Sequence, residues 1–190
     1  SLAQAHGEAD ADLLWHCSLW LQDDICILQP VDEAFCLTAA SVCCPSQWRL
    51  QQKFNQPLAS IHQPIPGFSQ SLTPKIQRFL DYLRPLHIVQ RFNWSVVAQP
   101  SLDLLTTDTA ITAHSPLYYR VERQTLRKLP KTGAVVFTIR VYVHPLQHLS
   151  QHTLAMESLL AAVDACSEEM LRYKGMLALL PALNKYRVGV

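Results

Sequence analysis

The chain has 190 residues, 49% of them apolar and 16% charged, with a formal charge of +1. That length supports one core burying roughly 70% of the surface the unfolded chain exposes, and the composition excludes a disordered chain. The balanced charge gives no footprint for nucleic acid or an anionic membrane, and no apolar run approaches the ~18 residues that would mark a membrane span. A soluble protein of the cytoplasm is expected. The six cysteines, Cys17, Cys26, Cys36, Cys43, Cys44 and Cys166, form no C-x-x-C pair and no haem-attachment motif, and read as buried thiols.

In chain order, two short apolar runs between Asp24 and Leu37 flank "QPVDEA" and predict a hairpin. Pro45 and Ser46 in "CCPSQWRLQQKF" suit a helix start, with Leu50 and Phe54 at i, i+4. In "IHQPIPGF", Pro64, Pro66 and Gly67 punctuate the chain behind a single imidazole, so His62 should sit where the preceding segment stops. Ile76, Phe79, Leu80 and Leu83 make one apolar stripe on a helix from Pro74 to Leu83. "VQRFNWSVVAQP" reads as a strand, and "SLDLLTTDTAITAHSP" as a loop able to cover something.

"YYRVERQTLRKL" and "AVVFTIRVYVHP", joined by "PKTG", predict a long antiparallel hairpin. One helix is expected from Thr153 to Lys174, with Gly175 as its cap. The pattern is α+β, a single domain around a central antiparallel sheet. Residues 1–22 read as an extension or part of a longer chain, and 176–190 as a tail.

Alternation on "YYRVERQTLRK" puts Tyr119, Val121, Arg123, Thr125 and Arg127 on one face and Arg120, Glu122, Gln124 and Leu126 on the other. Neither face is plainly apolar. Either the strand is a solvated edge, or one arginine points into a pocket and forks onto a carboxylate. His62 has two readings as well, a hydrogen-bonded structural residue or an axial ligand for haem iron. His144, His148 and His152 have helical metal-site spacing, but Pro145 argues against one helix through them. No hydrolase elbow, zinc-protease motif, phosphate loop or dinucleotide fingerprint is present.

The blocks "CPSQW", "PLASIHQPIPGF", "RFNWSV" and "RVERQTLRKLPKTGAVVFTIR", in this order from about Asp23 to Lys174, resemble the alpha-subunit-like family of haem-dependent oxidative N-demethylases. The resemblance implies a PAS-like domain over 23–175, a central antiparallel sheet with helices on one side, binding haem b non-covalently. It implies oxidation of a secondary methylamine such as dimethylamine by oxygen to a primary amine and formaldehyde. Electrons would come from a reductase subunit carrying flavin and an iron–sulfur centre.

Carried over by motif, His62 is the candidate axial ligand and metal ligand. Trp48, Asn93 and Trp94 are candidate haem contacts, Arg123 the candidate propionate partner with Arg120 as its alternative, and Glu122 the candidate contact for the amine. Cys44 stands where the resemblance leads one to expect an aromatic residue, and the amino-terminal portion usual in the family reads as missing or shortened. The alternative reading is a PAS-like haem or small-ligand sensor without turnover, since fold alone does not separate binding from catalysis.

Overall fold

The computed structural model describes residues 13–67, 72–105 and 110–187. Five strands, β1 (Asp23–Val31), β2 (Ala34–Ser41), β3 (Ile88–Val97), β4 (Tyr118–Lys128) and β5 (Val135–Pro145), form one antiparallel sheet in the order β2-β1-β5-β4-β3. The protein is therefore α+β, as the patterning implies. Both expected hairpins form. The first turns at Asp32, which takes φ 52, and the second at the "PKTG" loop, where Gly133 takes φ 71 and Leu129 N–H donates to Ala134 O at 2.7 Å.

β4 is not an edge. It lies between β5 and β3, with both of its edges hydrogen-bonded.

Residues directly opposed in antiparallel neighbours share a face. One row across the sheet is Val89, Leu126, Phe137 and Cys26, and the next is Arg91, Gln124, Ile139 and Asp24. We call this face the front. Its apolar end is covered by α1 (Leu50–Lys53), α2 (Leu58–Ile61) and α3 (Thr73–Tyr82), which pack Leu50, Leu58, Ile61, Ile76, Leu80 and Leu83 with Cys26, Leu28, Phe35, Leu37 and Val135. Of the expected α3 stripe, Leu80 and Leu83 are buried while Phe79 faces out.

The sequence around Pro45 and Ser46 does not start a helix. α1 begins only at Leu50, because Gln47 adopts φ 59 and the Ser46 hydroxyl donates to a carboxylate on the sheet. After α1 the chain docks on the edge of β2, with Asn55 N–H donating to Leu37 O at 2.8 Å and Leu37 N–H to Gln56 O at 3.1 Å. Pairing of this kind blunts an exposed strand edge.

The back of the sheet has its own helices, so the layer expected on one side is present on both. α4 (Leu146–Leu149), α5 (Thr153–Asp164), α6 (Glu168–Tyr173) and α7 (Leu180–Leu183) enclose Leu146, Met156, Val163, Leu171 and Leu179 against Val96, Trp94 and Tyr119. The single expected helix from Thr153 is broken between Asp164 and Glu168. Ser167 starts α6 as an N-cap, its Oγ accepting from Met170 N–H at 3.2 Å, and Glu168 and Glu169 fill the first turn. Such a cap, with carboxylates near the helix N-terminus, favours a new start over continuation.

Gly175 follows α6 at φ 67, as a left-handed cap requires. The stretch beyond it, read from sequence as a tail, is part of the core. Met176, Ala182 and Leu183 are fully enclosed, in the same cluster as Met156, Leu159 and Val163 of α5. Leu183→Ala should therefore cost about 2–5 kcal/mol in urea unfolding, the range for emptying a sealed leucine site. A loss of under about 0.5 kcal/mol, typical of surface positions, would show that this segment lies outside the cooperative core.

Candidate functional site

Beyond the apolar end of the front face, the sheet carries a row of charged and amide side chains centred on Glu122. Its Oε1 accepts from Ser46 Oγ at 2.6 Å, and its Oε2 accepts from Gln124 Nε2 at 3.0 Å and Asn93 Nδ2 at 3.3 Å. Three donors on three segments thus hold one buried carboxylate. Register explains two of them, since Asn93 lies directly opposite Glu122 and Gln124 is the next residue on the same face of β4. Ser46 reaches it from the irregular segment that failed to become helix.

Arg120 is fully buried, with Nε 3.8 Å from Glu122 Oε1 and no hydrogen bond at that nitrogen. Its other nitrogens are committed to backbone. Nη1 donates to Leu102 O at 2.9 Å and Nη2 to Cys44 O at 2.9 Å. One guanidinium therefore staples the segments around residues 44 and 102 to the sheet.

Asp24 completes this end. It accepts from the N–H groups of Cys43 and Cys44 at 2.7 and 3.0 Å. Burial nevertheless raises its pKa above the ordinary 3.8, with those two N–H groups and Arg120 pulling the other way. Burial also pushes the Cys26 thiol up to about 12 and the Cys44 thiol to about 11, and Asp24 adds to both. Neither is a reactive nucleophile.

Lys174, at the end of α6, reaches over the edge of β3. Its Nζ donates to Asn93 Oδ1 at 3.0 Å and to Trp94 O at 2.7 Å, and lies 5.2 Å from the centre of the Trp94 ring. The back-face helices are thereby tied to the front-face carboxylate through Asn93.

His62 ends α2, as its proline-rich setting implies, and its Nδ1 lies 2.9 Å from Leu58 O. A carbonyl only accepts, so Nδ1 carries a proton, and in the neutral ring the lone pair is then on Nε2. Its pKa is lowered, first by burial and then by the charges of Arg91 and Lys53, against the hydrogen bond to Leu58. A neutral imidazole held by a backbone carbonyl is the form that ligates a metal. Gly67 takes φ 72 behind it, and the residues that follow, starting with Phe68, lie outside the described set.

Of the residues singled out from sequence, Glu122, Asn93 and Arg120 meet on the front face, and His62 stands within electrostatic range of that face through Arg91. Trp48 is half-buried in the segment that carries Ser46. Arg123 and Trp94 do not join them. Arg123 is on the back, 38% exposed and 3.7 Å from Asp23, and Trp94 packs into the back core.

Ser46, Arg91, Gln124, Asp24 and Lys174 were not picked out from sequence. The polar alternation Arg91, Asn93, Ser95 signals a wet face on β3, but only the register with β4 makes it a partner for Glu122. Among the described residues there is no group of three or more His, Cys, Asp or Glu side chains able to hold a metal, and His144, His148 and His152 fall on β5, on α4 and at the start of α5. No described helix is long and apolar enough to cross a membrane.

Residues 2–183 match the family described as haem-dependent oxidative N-demethylase, alpha subunit-like. The chain belongs to this family. Membership makes it an oxidoreductase-like protein of a haem-dependent group, and an alpha-subunit-like chain points to an enzyme of more than one subunit. The side chains fit a haem in their chemistry: a half-buried imidazole with its lone pair on Nε2, and cationic Arg91 and Lys53 within electrostatic range of it for the acidic edge of the group.

Arg120→Ala should destabilise the protein by about 3–5 kcal/mol in denaturant unfolding, as for other broken buried pairs, because Glu122 loses its counter-charge and two carbonyls lose their donor. A loss below about 1 kcal/mol would mean that the staple carries no weight.

Asp24 gives a test by pH. With its folded pKa above 3.8, its ionisation opposes folding, so its contribution is full below 3.8 and is lost as pH rises through the folded value. Asp24→Asn keeps Oδ1 for the two N–H groups. The variant should gain stability over wild type as pH rises above 3.8, read from urea midpoints; a constant offset would remove Asp24 as the cause.

Proposed function

We propose that the protein is the haem-binding catalytic subunit of an oxidative N-demethylase, taking a secondary methylamine of the dimethylamine type to the primary amine and formaldehyde. The observation that carries this reading is His62, a neutral imidazole oriented by Leu58 O at the end of a helix above the sheet. The strand order β2-β1-β5-β4-β3, with short helices between β2 and β3, supports a PAS-like domain, in which residues of those helices and of the front face would hold the group. The haem is b-type, since no C-x-x-C-H is present to attach it covalently.

When bound, haem supplies the oxygen chemistry. The balance is dimethylamine, O2, two electrons and two protons giving methylamine, formaldehyde and water. In line with the family's alpha-subunit description, the electrons come from a separate reductase subunit carrying flavin and iron–sulfur centres.

His62 would hold the group through Nε2. Leu58 O holds its Nδ1 proton and so sets the ring's orientation and raises its strength as a ligand. Glu122 was the sequence-level candidate for contacting the amine. With both oxygens already engaged by Ser46, Asn93 and Gln124, it serves instead as a positioning residue that fixes the floor of the site. Asn93 and Trp48 are candidate contacts near that floor.

Haem titrated into the apoprotein should give a Soret band that co-elutes with protein in gel filtration. His62→Ala should change the ferric and ferrous–CO spectra, whereas His144→Ala should not. With a surrogate reductase, the loaded protein should release formaldehyde from N-methyl amines. Small apolar pockets separate substrates differing by one methyl group by only about 1–3 kcal/mol, so several amines should react. Tight haem without formaldehyde across the amine panel would favour a sensor, and no haem retention would end the reading.

A further inference from the structure

Among the described residues of the front-face row, Arg91 is the cation whose terminal guanidinium nitrogens the network leaves without an acceptor. It lies on the edge strand β3, opposite Gln124, and its Nε donates to Gln124 Oε1 at 2.5 Å. Among the described residues neither of its terminal nitrogens has a hydrogen-bond acceptor, and the side chain is exposed. Among the described residues, the terminal nitrogens of the other cations considered for this site are engaged or face elsewhere. Arg120 is held by carbonyls, Lys174 by Asn93 and Trp94, and Arg123 is on the back.

Gln124 is itself fixed, since its amide donates to Glu122 Oε2 at 3.0 Å, so Glu122, Gln124 and Arg91 form a chain that aims a guanidinium fork outward. The surroundings are close enough that desolvation lowers the Arg91 pKa, with Glu122 opposing it. An arginine held at Nε with both terminal amines available is arranged for two parallel bonds to a carboxylate.

We propose that Arg91 is the carboxylate anchor of the haem site, binding a propionate, and that Gln124 is the residue that positions it. This rests on the haem reading above. It places the anchor on β3 rather than at Arg123 or Arg120, the arginines favoured by the sequence.

The test titrates full-length apoprotein with haem and with haem dimethyl ester, whose propionates carry no charge, following Soret absorbance and retention on gel filtration. Wild type should bind both forms. Arg91→Met should lose about 10- to 100-fold in haem affinity while its affinity for the diester stays within about 2-fold, the size of a charge-assisted hydrogen bond. Arg91→Lys, which keeps the charge without the fork, should fall between. Gln124→Leu should show the same selective loss in weaker form, a signature that general loosening of the fold does not produce.

Equal losses for haem and diester in Arg91→Met, or unchanged haem affinity, would overturn the assignment while leaving the haem reading in place. Wild type binding neither form would overturn both. Thermal unfolding of each apo variant identifies any that fails to fold, and Arg91→Lys then decides through the same haem-to-diester ratio.

Discussion

A carboxylate at the centre of a sheet face is costly unless its lone pairs are occupied, and Glu122 sets that condition for the rest of this molecule. Satisfying it draws Ser46 down from the segment before α1, fixes Asn93 and Gln124 on neighbouring strands and brings Arg120 close. Three of those residues then have a second task. Arg120 holds two loops, Asn93 receives Lys174 from the far side of the sheet, and Gln124 holds Arg91. Buried polar networks of this kind are favourable only when nearly every member is paired, which makes them rigid. The Arg120 Nε is the exception.

The front face is thus divided. Toward Val135 and Leu126 it is greasy and roofed by helices; toward Arg120 it is polar and crossed by irregular chain. His62 stands at the end of the roof and Arg91 on the floor at the edge strand. On the proposed haem reading, this division would offer the group apolar contact toward one side and a cation toward the other. The back face, filled by the C-terminal helices, gives the sheet the stiffness to keep the two registered.

Much of this was legible in the sequence. Turn residues marked both hairpins, the i, i+3, i+4 pattern marked α3, and the prolines after His62 marked the end of α2. The buried side of β4 was not legible, because alternation puts arginines on both faces and only its neighbours decide between them. Arg91 was hidden for the same reason. The break before α6 was missed because the apolar period runs across it, although Ser167 with Glu168 and Glu169 is a readable start signal. The burial of Met176 to Leu183 had no sign beyond composition, since the segment is too short to show a period. The resemblance placed His62 and Glu122 in one neighbourhood, but it did not separate Arg123, which faces away, from Arg120, which is enclosed.

The strand order also bears on how the chain reaches this state. β1 pairs on one side with β2, its immediate neighbour, but on the other with β5, joining Asp23 to Arg140. During synthesis the first hairpin forms early and then has no sheet to join until most of the chain has left the ribosome. Meanwhile Cys26, Leu28, Phe35 and Leu37 have only the short helices to cover them. Topologies dominated by such distant pairings nucleate slowly and expose apolar strands on the way. For this fold the interval of greatest apolar exposure lies before β5 arrives to pair with β1.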